Sequence, residues 1–135
     1  MHRNIANMIP QGDTNSHSVI QFALEAPKVR RIIVCGHTHC GAVEAVLGRE
    51  NVQGPLDRWL QNLREVRDKH WEELKRLPNN GPRAARLTQL NVLAQVENLK
   101  KHESVLNAAN GLRIQGWVYN IVTRGVEELN IPSKP

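Results

Sequence analysis

His37 and Cys40 stand three residues apart, directly after the apolar run Ile32-Ile33-Val34-Cys35-Gly36. Imidazole nitrogen and thiolate sulfur are the donors that Zn²⁺ favours, and a catalytic zinc usually takes three protein donors and keeps one position open. This pair supplies two. On spacing alone a His-x-x-Cys pair is a weak signal, since many such pairs are ordinary surface or core residues. The other residues of similar chemistry read as structural. Cys35 lies among branched aliphatics, where a free thiol behaves as a small apolar group, so it is expected in the core. His39, between the two donors, could face the site or solvent. His17, His70 and His102 fall on helical segments with no acidic or cysteine partner at ligand spacing, and all four histidines are taken as structural or exposed. Trp59, Trp71 and Trp117 are expected to fill core or interface.

The elements that must position the pair can be read from periodicity and punctuation. β-Branched Ile32, Ile33 and Val34 predict a buried strand over residues 29–35, and Gly36 permits the turn that follows. The donors therefore sit at a strand's carboxyl end, where ligands collect in open α/β sheets. Residues 14–25 predict a helix with Val19, Phe22 and Ala23 inward, capped by Thr14 or Asn15 and stopped by Pro27. A short helix over 42–47, ended by Gly48, places Cys40 near its amino terminus, where the dipole favours an anionic sulfur. Trp59, Leu60, Leu63, Val66, Trp71 and Leu74 recur at helical spacing and predict one amphipathic helix over 57–77. Pro78-Asn79-Asn80-Gly81-Pro82 breaks it. A second helix, from 83 to about 100, turns Leu87, Leu90, Leu93, Ala94 and Val96 inward, and a short third covers 104–109. Asn110-Gly111 leads into a strand over 112–121, and Thr123-Arg124-Gly125 is short enough to return 126–129 as an antiparallel neighbour. The expected fold is α/β, with a mostly parallel sheet, flanking helices and an antiparallel last strand, all in a single domain over 1–135.

Composition narrows the functional classes. The net charge of +5 arises from Lys and Arg scattered among Glu and Asp, which argues against a nucleic-acid surface. Two cysteines do not make a disulfide framework and point to a reducing, cytoplasmic setting, or an organelle if a targeting segment lies upstream. No stretch has the length of a membrane span, and Met1-His2-Arg3-Asn4 lacks the apolar region of a secretory signal.

As a whole, Ile33-Val34-Cys35-Gly36-His37-Thr38-His39-Cys40-Gly41-Ala42-Val43 resembles the second zinc motif of the β-class carbonic anhydrases. Arg3-Asn4-Ile5-Ala6-Asn7 resembles that family's R-N-x-A-N element. Asn91-Val92-Leu93-Ala94-Gln95-Val96-Glu97-Asn98-Leu99 resembles its following helix, and Gly116-Trp117-Val118-Tyr119 its penultimate strand. The resemblance implies zinc-dependent reversible hydration of CO₂ to bicarbonate, with His37 and Cys40 as metal ligands. It also implies a Cys-x-Asp-Ser-Arg segment ahead of R-N-x-A-N, whose Cys is the third ligand and whose Asp–Arg pair works beside the metal. These 135 residues hold no such segment: the cysteines are Cys35 and Cys40, and the aspartates Asp13, Asp57 and Asp68. No residue here takes those catalytic roles, so this chain alone is expected to be feeble or inactive and to hold zinc weakly or not at all. His2, His39 or a partner-chain residue are the groups that could complete the shell. Because the family's earlier strands flank the zinc-motif strand, that strand is expected at a sheet edge, where its unpaired backbone would pair with a second copy in a homodimer. A dimeric scaffold that keeps the fold without zinc is the alternative, and a small zinc or redox protein working through Cys40 is a third.

Overall fold

Branched aliphatics at alternate positions and leucines at helical spacing sort this chain into strands and helices, described here by a computed structural model over residues 1–48, 51–108 and 111–132. After a single 3₁₀ turn, Ile5–Asn7, come α1 (Thr14–Glu25), β1 (Arg31–His37), α2 (Gly41–Leu47), α3 (Gly54–Lys69) and α4 (Trp71–Leu74). They are followed by α5 (Asn80–Lys100), α6 (Glu103–Leu106), β2 (Arg113–Tyr119) and β3 (Val126–Leu129). The strands form one sheet ordered β1-β2-β3. β1 and β2 are parallel, with Val34 opposite Gly116 and His37 opposite Tyr119, and β3 runs antiparallel to β2. The α/β architecture with an antiparallel last strand is as expected, and among the described residues β1 lies at the sheet edge.

The 21-residue helix α5 organises the packing. Its Val92 and Val96 meet Val34 and Val118 on one face of the sheet. Gly36 and Gly116 let the helix come close, for a Cβ at either would lie within 2.9 Å of Val92. A second cluster joins Val43 and Val46 of α2, Leu60 and Leu63 of α3, Leu74 of α4 and Leu87 and Leu90 of α5. Leu63, Leu74 and Leu87 are fully buried, each contributing about 1.5–3 kcal/mol over an exposed side chain. By strand alternation the opposite sheet face carries Ile33, Cys35, His37, Gln115, Trp117 and Tyr119. Cys35 and His37 are exposed there and the others half-buried.

Several expectations are corrected. Cys35 is exposed, because the helix-covered face takes Val34 and Gly36 and alternation sends Cys35 to the other side. Val19 and Phe22 are exposed, since α1 buries Ser16 and half-buries Ile20 and Ala23 instead. Asp13 caps α1 by accepting from Ser16 N–H, in place of Thr14 or Asn15. β1 starts two residues later than the expected strand, because Lys28 adopts φ 54° and Val29 N–H donates to Ala23 O. The helix expected over 57–77 divides at His70 (φ −110°, ψ 16°) into α3 and α4, and Trp71 is exposed. Part of the segment 104–109 and the turn at Asn110 lie outside the described residues.

Candidate metal centre

The strand β1 delivers His37 to its carboxyl end, and four consecutive residues then set the two donors. His37 is exposed, and its Nδ1 lies 2.8 Å from Thr38 O. A carbonyl can only accept, so the Nδ1–H donates and Nε2 keeps its lone pair, the arrangement of a metal-ligating histidine. Thr38 N–H donates to Tyr119 O at 2.9 Å, carrying the β1–β2 ladder one residue beyond the strand. His39 takes φ 54° and turns the chain. Cys40 follows as the N-cap residue of α2, its carbonyl accepting from Glu44 N–H at 3.0 Å. Its thiol is free and buried at 7% exposure, in the cluster holding Ala6, Met8 and Val43.

A pinned loop supports the strand from the amino-terminal side. Asn4 closes it on itself, accepting from Met8 N–H at 2.7 Å and donating to Met8 O at 2.8 Å. Asn91 Nδ2 donates to Ala6 O at 2.8 Å, and Gln95 Oε1 accepts from Ile9 N–H at 2.7 Å. Gln95 Nε2 donates to Asn91 Oδ1 at 2.9 Å, so the two buried amides also satisfy each other. This network holds Ala6 at φ 66° and Asn7 at φ 42°, left-handed values that side-chain residues seldom adopt. The clamp places Asn7 Oδ1 against Gly36, the residue before His37.

Imidazole Nε2 and a free thiol within one turn have the donor chemistry of zinc and fit it in kind. They are two in number. Among the described residues no group of three or more His, Cys, Asp or Glu able to hold a metal occurs, so neither His2 nor His39 completes the set there. His102 is structural, as expected, and also buried: its Nδ1 accepts from Ser104 N–H at 3.1 Å, which leaves Nε2–H to donate to His17 O at 3.2 Å. Partial desolvation of the Cys35 thiol, whose residue is otherwise exposed, raises its pKa, opposed by a hydrogen bond with the Tyr119 backbone.

Thr38, Asn91 and Gln95 were not singled out as supports of the site by residue chemistry alone. The available signal was Asn91 and Gln95 four residues apart in the row Leu87-Asn91-Gln95-Leu99, two amides on an otherwise apolar helix face.

The family profile described as Carbonic anhydrase matches residues 1–126. The carbonic anhydrase of Candida albicans is 39% identical over 136 residues, covering 98% of this chain and 48% of that protein. That of Emericella nidulans is 40% identical over 134 residues, covering 97% and 58%. The chain thus spans about half the length of the curated relatives it matches. The crystal structure of the β-carbonic anhydrase CafA of Aspergillus fumigatus superposes with a TM-score of 0.93 at 37% identity, covering 98% of this chain and 64% of that one. One of two tetrameric β-carbonic anhydrases from Sordaria macrospora gives 0.92 at 35% identity, covering 98% and 68%. With the donor turn, the strand that carries it and the helix behind it all inside the matched residues, this chain belongs to the β-carbonic anhydrase family.

Proposed function

We propose that this chain supplies His37 and Cys40 to the zinc of a β-carbonic anhydrase, for reversible hydration of CO₂ to bicarbonate, and that these 135 residues by themselves hydrate CO₂ weakly or not at all. The observation that carries the reading is the turn itself: an imidazole with Nδ1–H tied to Thr38 O, followed three residues later by a free thiol. His37 Nε2 and Cys40 Sγ would hold the ion. Zinc so held would bring the pKa of water down to about 7 and supply a nucleophile for the CO₂ carbon. The chain's own part is to fix two donors in direction, through β1, the His39 turn and the Asn91–Gln95 clamp. A third donor and the Asp–Arg pair beside the metal would come from outside these residues.

A homodimer accompanies this reading. Among the described residues β1 has a partner on one side only, and Phe22 at 68% and Val122 at 73% exposure are large apolar side chains left in water. A monomer in sedimentation at micromolar concentration would count against it. A reducing compartment, the cytoplasm, suits the two free thiols. Among the described residues no helix is long and apolar enough to cross a membrane.

Zinc per chain, measured by mass spectrometry on protein purified without chelators, tests the proposal alongside stopped-flow CO₂ hydration. The expected result is less than one equivalent, abolished by Cys40→Ala, with hydration near the buffer rate. A full equivalent with fast hydration would show that the chain completes its own shell. No zinc in either protein, with the dimer intact, would favour a scaffold that keeps the fold without the metal.

A further inference from the structure

We infer that Thr38 is a positioning residue for the two metal donors, tying their turn to the β2–β3 hairpin with its backbone and hydroxyl while orienting His37 with its carbonyl. The inference rests on the assignment of His37 and Cys40 as zinc donors and adds to it the group that sets their mutual direction.

Thr38 bonds through all three of its polar groups. Its N–H donates to Tyr119 O at 2.9 Å, its carbonyl accepts from His37 Nδ1–H at 2.8 Å, and its Oγ1 accepts from Ile121 N–H at 3.1 Å. The first and third reach β2 and the loop after it, more than eighty residues on; the second reaches the donor beside it. The far anchor is itself built. Asn120 Oδ1 accepts from Val122 N–H at 2.9 Å and Thr123 N–H at 3.1 Å, while Asn120 N–H donates to Gly125 O at 2.9 Å. Ile121 N–H therefore projects from a turn whose shape Asn120 sets, and the Thr38 hydroxyl takes it.

The chain needs this anchor because Thr38 lies where regular structure has ended and α2 has not begun. His39 occupies a left-handed conformation immediately after it, so the direction in which Cys40 leaves the turn depends on where Thr38 is held. With Thr38 fixed, His37 and Cys40 stand at the two ends of a braced turn. Without the hydroxyl, Thr38 keeps a single bond to the hairpin, from its N–H to Tyr119 O, and the turn can pivot about it. A serine keeps the acceptor; a valine keeps the shape and loses it.

The test compares wild type, Thr38→Val and Thr38→Ser in the full chain. Co²⁺ alone serves as the probe, its thiolate charge-transfer absorption reporting the Cys40 bond. Loss of an outer support of this kind costs roughly 10- to 100-fold in metal affinity. We expect Thr38→Val to bind Co²⁺ at least tenfold more weakly and Thr38→Ser to return to within about threefold of wild type, with unchanged circular dichroism. A second readout uses metal-free protein: amide exchange at Ile121 and at His39, Cys40 and Gly41. Thr38→Val should accelerate both groups together, and Thr38→Ser neither. Wild-type affinity in Thr38→Val, equal weakness in both variants, or faster exchange at Ile121 alone would overturn the inference. If wild type takes up no Co²⁺, the zinc assignment fails, and the exchange data still decide whether Thr38 holds the turn.

Discussion

Replacing Gly36 with alanine probes how closely the donor strand is set against α5. A Cβ at this position would lie 2.8 Å from Val92 Cγ2 and 3.3 Å from both Asn7 Oδ1 and Thr88 Cγ2. Ordinary contact begins at 3.4 Å, so the new methyl intrudes on Val92 by about 0.6 Å. None of the three neighbours yields easily. Val92 is fully buried, Thr88 Oγ1 is bonded to Ala84 O, and Asn7 belongs to the clamped loop. Overpacking of this degree costs about 1–3 kcal/mol, while stiffening the unfolded chain returns about 0.4–1 kcal/mol. The clash wins, leaving a net loss of about 1–2 kcal/mol. Urea unfolding followed by tryptophan fluorescence, at one fixed protein concentration because of the proposed dimer, measures it. Val92→Ala supplies the control. Alone it should cost about 2–3 kcal/mol, but the Gly36 methyl enters the space it vacates, so the double variant should fall short of the summed losses by about 1 kcal/mol. Losses that add to within about 0.5 kcal/mol, or a Gly36→Ala variant as stable as wild type, would refute the close-packing account.

Three further perturbations address other parts of the fold. Asn91→Leu strips Ala6 O and Gln95 Nε2 of their buried partners and should cost about 2–4 kcal/mol in chemical denaturation; a loss under about 0.5 kcal/mol would show that the loop does not depend on the clamp. Hydrogen bonding from Ser16 holds the Asp13 carboxyl below its ordinary value against a smaller desolvation effect, so its contribution is complete above the unfolded carboxylate value of about 3.9 and is lost as pH falls through the lower folded value. Melting temperatures of wild type and Asp13→Asn should therefore converge as pH drops below about 4, and parallel curves would exclude the cap as their source. Cys35 should be alkylated by iodoacetamide with a pH midpoint above the ordinary thiol value, because partial desolvation of its sulfur raises the pKa; a midpoint at or below that value would remove desolvation as the controlling effect.

The donor strand was legible because three branched aliphatics in a row leave little choice but a strand, and the helical stretches because leucines recur at one-turn spacing. Facing was harder to read than element type. Cys35 and Phe22 are apolar residues that a local pattern sends inward, yet each lies opposite the surface that this chain's own core covers. Pattern ranks residues by polarity, while burial depends on which layer happens to be present. Element limits moved for a similar reason: the left-handed Lys28 and the turn at His70 answer to tertiary placement more than to local propensity. Within the site, His37 and Cys40 stood out because chemistry marks them. Thr38, Asn91 and Gln95 carry no such mark, since their partners lie about eighty residues away and only the folded chain brings them together.

That separation sets a timetable for synthesis. The loop beside Gly36 is held by bonds spanning 85 and 86 residues, and β1 pairs with β2, which lies beyond α5. At about 5–20 residues per second, a ribosome needs roughly 4–17 s to pass from Ala6 to the helix that clamps it. For most of that interval Ile32, Ile33 and Val34 have been made without the strand they pair with in this chain. The donor turn is thus translated well before it is shaped, and a nascent chain halted before Asn91 would carry both donors with neither of the long-range amide bonds that hold the loop beside them.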